Sequence, residues 1–438
     1  MDSNLYQKQQ ITPTIPFIGL VDCDNFFVSC ERVFQPKLKR VPLVILSSND
    51  GCAVSRSNEA KKLGIRMGAP LHEFQEIVRE HEVVTLSSNF SLYGDLSNRV
   101  MRLLQREYPS VDRYSVDEAF IRFSHRNPLK AKNSAIKTLN TIQQCLGIPI
   151  SIGIATTKVL TKIACYQAKN NSHYNGICLI GTEPDRLHTL QKTPISKVWG
   201  IGRRYSEFLT SRGIHTALDF TEIPQSWVKR HMSILGLRLQ MELQGLSNCF
   251  HLGEEHEAQK SLLRSRSFGQ PVTDKASLAE SLAAHATSAG DRLRREGLVA
   301  SGIGVFIRTS PYAYKPQYSN SLVLSFDDPT DYTPDLIHKA TEALTIIYKP
   351  NYEYKKTGIF LTGLMPKETA TLSLFKTPQE YARQANLMKI FDTLRQRWGK
   401  EGCFFAARGV STSWHPKTST KTPRYTTNWK ELPRAVCQ

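Results

Sequence analysis

Three carboxylates are the residues of this 438-residue chain best suited to chemistry. Asp22 follows the apolar run Phe17-Ile18-Gly19-Leu20-Val21, and the pair Asp117-Glu118 sits in Tyr114-Ser115-Val116-Asp117-Glu118-Ala119-Phe120. In an uninterrupted strand Asp117 and Glu118 would point to opposite faces, so both serve one site only if the chain bends there. Antiparallel hairpin strands beside the first strand can bring Asp22 close to the pair, and three clustered carboxylates repel one another unless cations neutralise them. Mg²⁺ suits such a set, because it takes a few carboxylate oxygens together with substrate phosphates; two such ions can clamp an in-line phosphoryl displacement. From spacing alone, the same residues also read as ordinary solvated loop positions.

Two further clusters carry anion-binding chemistry. In Ser55-Arg56-Ser57-Asn58-Glu59-Ala60-Lys61-Lys62-Leu63-Gly64, Ser57 is placed to cap a helix whose free N–H groups face an anion, and Lys61 lies on its first turns. A lysine-rich amphipathic helix is equally a solvated face, and Lys169 alone reads as a surface lysine. In Gly200-Ile201-Gly202-Arg203-Arg204, two glycines let the backbone approach a phosphate and the arginines add charge, which gives a sequence-independent grip on a nucleic-acid backbone or, in the bland reading, a packed helix connection. His251 and His256 near Cys249 are too loosely spaced for a metal site.

The elements that must position these residues follow from periodicity. Phe17–Val21 reads as a buried strand, Val111–Ser115 and Glu118–Phe123 as a strand pair, Ala131–Leu146 as a helix and Ile148–Ala155 as a strand: a split βαβ unit. The pattern recurs with strands at Ser261–Phe268, Leu298–Thr309, Ser321–Phe326 and Thr357–Leu364 and helices at Thr273–Glu296 and Thr333–Tyr348. Between the two, Pro194–Phe220 holds two short helical stretches around the glycines, a helix-hairpin-helix pattern, and the acidic stretch Gly253–Glu257 reads as a linker.

Composition narrows the classes. The chain has 57 Lys+Arg against 39 Asp+Glu, a net charge of +18, with 40% hydrophobic residues. This excludes a small disulfide scaffold and points to a polyanionic partner, nucleic acid first. Residues 366–438 hold 13 Lys+Arg and 5 Asp+Glu, so the end of the chain reads as a separate basic appendage. The nine Cys are scattered without a C-x-x-C pair and read as reduced thiols, and neither a spanning apolar run nor a secretory start is present, so the expectation is a cytoplasmic protein with no membrane partner.

The segments Val21-Asp22-Cys23-Asp24-Asn25-Phe26-Phe27, Ser115-Val116-Asp117-Glu118-Ala119, Val159-Leu160-Thr161-Lys162-Ile163-Ala164 and Val198-Trp199-Gly200-Ile201-Gly202 resemble, in order, those of the Y-family translesion DNA polymerases. Arg264-Ser265-Arg266-Ser267-Phe268-Gly269 and Pro423-Arg424-Tyr425-Thr426-Thr427 look like the UmuC subgroup, the catalytic subunit of bacterial DNA polymerase V. The resemblance implies an α+β right hand. Its parts would be a split-βαβ palm (16–25 and 88–170), small fingers (26–87), a thumb with the hairpin (171–250), a split-βαβ little finger (260–365) and a basic C-terminal region (366–438).

It also implies roles. Asp22, Asp117 and Glu118 would hold two Mg²⁺ with the Cys23 carbonyl as an extra ligand. Phe27 would be the steric gate against a 2′-hydroxyl, and Ser55, Lys61 and Lys169 would contact the triphosphate. Gly200, Gly202, Arg203, Arg204, Arg264 and Arg266 would meet DNA. Two departures concern the triphosphate side: Asn58 stands where many relatives have Tyr and Lys61 where many have Arg, which removes a bidentate phosphate contact. Thr371-Leu372-Ser373-Leu374-Phe375 resembles a sliding-clamp peptide, with Leu372, Leu374 and Phe375 as its apolar anchors and Thr371 in place of Gln. The implied activity is error-prone, template-directed DNA synthesis in translesion and SOS mutagenesis, without proofreading. The implied partners are primer-template DNA, deoxynucleotide, a sliding clamp, a UmuD-type dimer and a RecA-type filament in a bacterial cytoplasm, at the nucleoid when active. A nucleotidyl cyclase with the same palm, or a non-catalytic clamp-recruited scaffold, are the competing classes.

Overall fold

Residues Ile18–Cys23 form strand β1, and every position but Asp22 is buried, as a central strand covered on both faces requires. The computed structural model describes residues 16–246, 259–371, 373, 377–399, 401–410 and 414–433. The expected linker with Cys249, His251 and His256 lies outside the described residues, as do Leu372, Leu374 and Phe375.

The described residues form two compact units, with 16–46, 52–246 and 420–433 in the first and 47–51 and those between 259 and 419 in the second. In the first, β2 (Leu43–Leu46), β3 (Ala53–Arg56) and β4 (Val84–Ser87) make a small sheet in the order β3-β2-β4. The larger sheet adds β5 (Val111–Arg113), β6 (Glu118–Arg122), β7 (Ile150–Ala155) and β8 (Ile177–Leu179) to β1, in the order β5-β6-β1-β7-β8. β1 is antiparallel to both β6 and β7. β6 therefore sits between β1 and β5, and β1 between β6 and β7, which is the split βαβ arrangement expected.

Alternation decides what each face of β1 meets. Val21 and Cys23 share a core with the helices Phe90–Glu107 and Pro128–Leu146, whereas Ile18 and Leu20 pack with Phe120 and Cys165 of the helix Lys158–Asn170. Asp22 is in phase with Leu20, so it faces that second helix. Thr157 caps the helix by accepting from the Leu160 N–H. The helix is seated on the sheet at Gly153, where a Cβ would lie 2.2 Å from the Thr161 carbonyl oxygen and the Cys165 nitrogen. Further along, Leu209, Phe220, Val228 and Leu239 form a separate core against the far side of the same helix, through Val159 and Ile163.

The second unit contains β9 (Ser261–Val272), β10 (Leu298–Thr309), β11 (Ser319–Thr330) and β12 (Tyr354–Pro366) in the antiparallel order β11-β10-β12-β9. Helices Lys275–Arg295 and Thr333–Ile347 cover one face, with Leu282, Ala286, Leu336 and Leu344 in the core. The four strands and two helices fall where periodicity puts them, Leu298–Thr309 with the expected bounds and the others longer or shorter by a few residues.

The end of the chain is not a separate appendage. Residues through Ser419 belong to the second unit, where the helix Pro378–Trp398 is tied down by Asp392 to Arg294 (2.7 Å) and by Arg395 to Asp291 (3.2 Å). Residues 420–433 belong to the first unit. Charge counting missed this because Asp392 and Arg395 are spent on partners within the second unit, and Thr420, Thr422 and Tyr425, whose side chains hold the first unit, are uncharged.

Candidate active site

The bend demanded by Asp117 and Glu118 is made by Ser115. Its hydroxyl accepts from the N–H groups of Asp117 (3.2 Å) and Glu118 (3.0 Å) and donates to the Asp117 carboxylate (2.6 Å). This local side-chain turn ends β5 two residues earlier than expected, at Arg113. The Cys23 N–H then donates to the Asp117 carbonyl (2.9 Å), and Asp22 stands directly opposite Glu118 in the β1–β6 ladder.

Like charges directly opposite one another are destabilising, so the cluster needs cations. The helix Lys158–Asn170 supplies two, seven residues apart and hence on one face. Lys162 pairs with Glu118 (3.0 Å) and lies over the Tyr114 ring (4.3 Å), and Lys169 pairs with Asp22. Burial pushes the Asp22 carboxyl up to about 7; Lys169 pulls it back, and Glu118 and Asp117 push it further up. Burial alone would lower the Lys169 ammonium, but Asp22 holds it above its ordinary value. Lys162 lies inside a motif recognised in the sequence, and its seven-residue spacing from Lys169 was the signal for its role.

A basic wall faces this acidic floor. Lys61 donates to Asn25 Oδ1 (2.6 Å), which is held by a left-handed backbone at φ 47°, and Asn25 donates to Asn58 (3.1 Å). Burial lowers the Lys61 ammonium, and the charges of Arg56 and Lys169 lower it further. Arg56 is the residue sequence reasoning passed over: its Nε is buried without a hydrogen-bond partner among the described residues, while its Nη1 holds the Ile65 carbonyl (2.6 Å). Asp22, Cys23, Phe27, Ser55, Lys61, Asp117, Glu118 and Lys169, drawn from separate segments, all line one cavity of about 390 Å³ together with Arg56. Phe27 stacks on Tyr93 with ring centres 4.4 Å apart.

The sequence matches a known group of proteins. Residues 21–166 match the impB/mucB/samB family, 259–374 its C-terminal domain, and 385–435 a domain of unknown function, DUF4113. Protein UmuC of Salmonella typhimurium is 36% identical over 419 residues, covering 95% of this chain and 99% of that one. The chain belongs to the impB/mucB/samB family. A more distant relative, DNA polymerase IV 1 of Bacillus subtilis, is 27% identical across 86% of this chain and 90% of its own length. Among solved structures, a Y-family DNA polymerase chimera, Dbh-Dpo4(243-245)-Dbh, superposes with a TM-score of 0.65 at 20% identity, covering 80% of this chain and 99% of that one. The fold is therefore the α+β fold of the Y-family polymerases.

As to metal binding, no three His, Cys, Asp or Glu side chains among the described residues are gathered into a closed set. Ammonium groups hold two of the three carboxylates instead. The donors nevertheless fit Mg²⁺: they are hard carboxylate oxygens, and Asp22 stands directly opposite Glu118 with Asp117 beside them on the same cavity.

The remaining sequence candidates lie elsewhere. Gly200 adopts φ 91°, a conformation only glycine takes without strain, and Gly202 precedes the helix Arg203–Thr210, which has no side-chain cap to occupy its first N–H groups. Before the glycines stands a single 3₁₀ turn, Ile195–Lys197, rather than a full helix. Arg203 is largely exposed, with a Glu207 partner at 3.7 Å. Arg264 and Arg266 lie on the edge strand β9 of the second unit, Arg264 half-buried and Arg266 exposed.

Proposed function

We propose that this protein is an error-prone, template-directed DNA polymerase of the Y family acting in translesion synthesis. Family membership supports the activity. The observation that carries the reading of the site is the single cavity with an acidic floor and a basic wall, because a nucleoside triphosphate needs both. Residues 16–25 and 88–170 are the palm, 26–87 the fingers, 171–250 the thumb and 260–365 the little finger.

Asp22, Asp117 and Glu118, with the Cys23 carbonyl, would hold two Mg²⁺, which when bound would neutralise the developing charge on the phosphates. The residues of the chain position the rest. Lys61, Lys169, Arg56 and Ser55 hold the triphosphate so that its α-phosphorus lies in line with the primer 3′-oxygen. That oxygen gives up its proton to solvent and bonds to the α-phosphorus as the bond to the bridging oxygen breaks, and pyrophosphate leaves with the electron pair. Lys162, paired with Glu118 and held against Tyr114, keeps the floor ordered. The Phe27 ring excludes a 2′-hydroxyl. Gly200, Gly202, Arg203 and Arg204 hold the DNA backbone, as do Arg264 and Arg266. Leu372, Leu374 and Phe375 dock on a sliding clamp, and a UmuD-type dimer and a RecA-type filament act as accessory partners in a bacterial cytoplasm.

A nucleotidyl cyclase shares only a palm, whereas the kinship here runs along nearly the whole chain. Primer extension past an abasic template site, with and without UmuD-type and RecA-type proteins, tests the proposal. Extension past the lesion is expected; formation of cyclic nucleotide without primer extension would overturn it.

A further inference from the structure

The segment matching a domain of unknown function returns to the first unit as a strap, and its contacts lead to the Phe27 ring. At the end of β4, Thr420 and Ser87 exchange hydrogen bonds of 3.1 Å, and Lys421 forms a parallel bridge with Ser87. Asn89, which caps the helix Phe90–Glu107, turns its amide to the strap and donates to the Thr422 carbonyl (3.1 Å), the Thr422 hydroxyl (2.9 Å) and the Pro423 carbonyl (2.9 Å). Tyr425 stacks on Phe34 with ring centres 4.8 Å apart and planes 9° from parallel.

The Asn89 amide nitrogen can only donate, so the Thr422 hydroxyl accepts from it and its own proton is free for another partner. That partner is Glu31, whose Oε1 lies 3.1 Å away. The same Oε1 accepts from the Tyr93 hydroxyl at 2.7 Å. Glu31 is fully buried, and its Oε2 has no hydrogen-bond partner among the described residues. A carboxyl so placed is costly in a core, and a Leu or Met would pack there more cheaply if filling space were its task. Its effect is to fix two hydroxyls, one from the strap and one from Tyr93. Tyr93 is 1% exposed, and Phe27 stacks on its ring at 4.4 Å and 13°. The ring that lines the nucleotide cavity therefore rests on a ring held by the carboxyl that the strap also holds.

We infer that the C-terminal strap is an intramolecular clasp, and that Thr422, acting through Glu31 and Tyr93, is a positioning residue for Phe27 in sugar discrimination. This rests on the reading of Phe27 as the sugar gate. A tightly backed ring stands up to a 2′-hydroxyl, and a loosely backed one yields to it. Discrimination therefore depends on a residue near the end of the chain that touches no substrate.

The test is single-nucleotide insertion opposite template thymine, comparing ATP with dATP, by the full chain together with the accessory proteins that its polymerase assay requires. Thr422→Val keeps the shape and removes the hydroxyl. It is expected to raise the ribonucleotide-to-deoxyribonucleotide ratio by about fivefold, the size of one lost hydrogen bond. Thr422→Ser should restore the parent ratio, which a mere packing role for the methyl group would not. Tyr93→Phe, which keeps the stacked ring and lies outside the strap, should raise the ratio in the same direction and serves if Thr422→Val folds poorly. In a Phe27→Ala background, Thr422→Val should add nothing. A ratio raised by Phe27→Ala but unmoved by Thr422→Val and Tyr93→Phe would overturn the clasp and leave the gate standing. A ratio unmoved by Phe27→Ala would overturn the gate and the clasp with it.

Discussion

Asp22 and Glu118 face one another across β1 and β6, and Asp117 joins them only because the Ser115 hydroxyl bends the chain. Three half-buried acids in one corner lower the stability of the fold, and Lys162 and Lys169 offset only part of the repulsion. Such a cluster is retained for what it binds. Asp117→Asn keeps the shape and the Ser115 hydrogen bond while removing the charge. Primer extension by this variant should fall by about a hundredfold or more, since even outer partners of a metal site are worth about 10- to 100-fold. Duplex affinity should be unchanged, because the hairpin and the basic surfaces are untouched. Steady-state extension and fluorescence-anisotropy binding on the same preparation check both halves. Extension at the parent rate would remove Asp117 from the site.

The helix Lys158–Asn170 is the element on which the site depends, because it carries both lysines and sits directly on β7 at Gly153. Gly153→Ala would drive a methyl group into the backbone at Thr161 and Cys165, and no side-chain rotation relieves that. The variant should lose about 3 kcal/mol or more in denaturant unfolding, with extension falling as Lys162 and Lys169 shift; a change below 1 kcal/mol would show that the helix can move freely. In the second unit, His285 is buried on Lys275–Arg295 with Nε2 unpartnered among the described residues. Burial, and then the charges of Arg266, Arg264 and Lys356, push the imidazole down to about 4. The folded state therefore favours neutral His285, and its stability is complete above about 6.5 and declines as pH falls toward 4. At about 1.4 kcal/mol per pH interval of one, the loss reaches about 3 kcal/mol. His285→Gln should unfold with a shallower acid dependence than the parent, and parallel curves would refute the assignment. These elements were legible in the sequence to different degrees. β1 and β10 are nearly continuous apolar runs, and the helices repeat at 3.6, so burial patterns alone mark them. The bend at Asp117-Glu118 was legible as a requirement, but not that the Ser115 hydroxyl makes it, and the strap at Thr420–Tyr425 was not legible because its hydroxyls and amides find partners far away in the chain. Arg56 was passed over because Ser55–Gly64 reads as the start of a helix, whereas Ser55 and Arg56 end β3 and, despite the alternation of a strand, both reach the cavity.

At the scale of the whole molecule the dominant quantity is the net charge of +18, which no cavity of about 390 Å³ could use. A polymerase must accept every template, so this charge should act on phosphates rather than on base edges. Each phosphate neutralised releases counterions, and the logarithm of affinity should fall with the logarithm of salt at a slope of about 0.9 per contact. Arg203 and Arg204 begin a helix whose leading N–H groups carry no side-chain cap, directly after the two glycines that permit close approach. Replacing both arginines by Gln removes two charges without disturbing Gly200 or Gly202. The double variant should bind duplex more weakly at every salt concentration, and its slope should be shallower by about two contacts. The loss should be the same for duplexes of different sequence, because a backbone contact cannot tell them apart. Titration of labelled primer-template at several salt concentrations, with two unrelated sequences, reads all three quantities. An unchanged slope would mean that the hairpin faces solvent rather than DNA, and a sequence-dependent loss would mean that these arginines read bases.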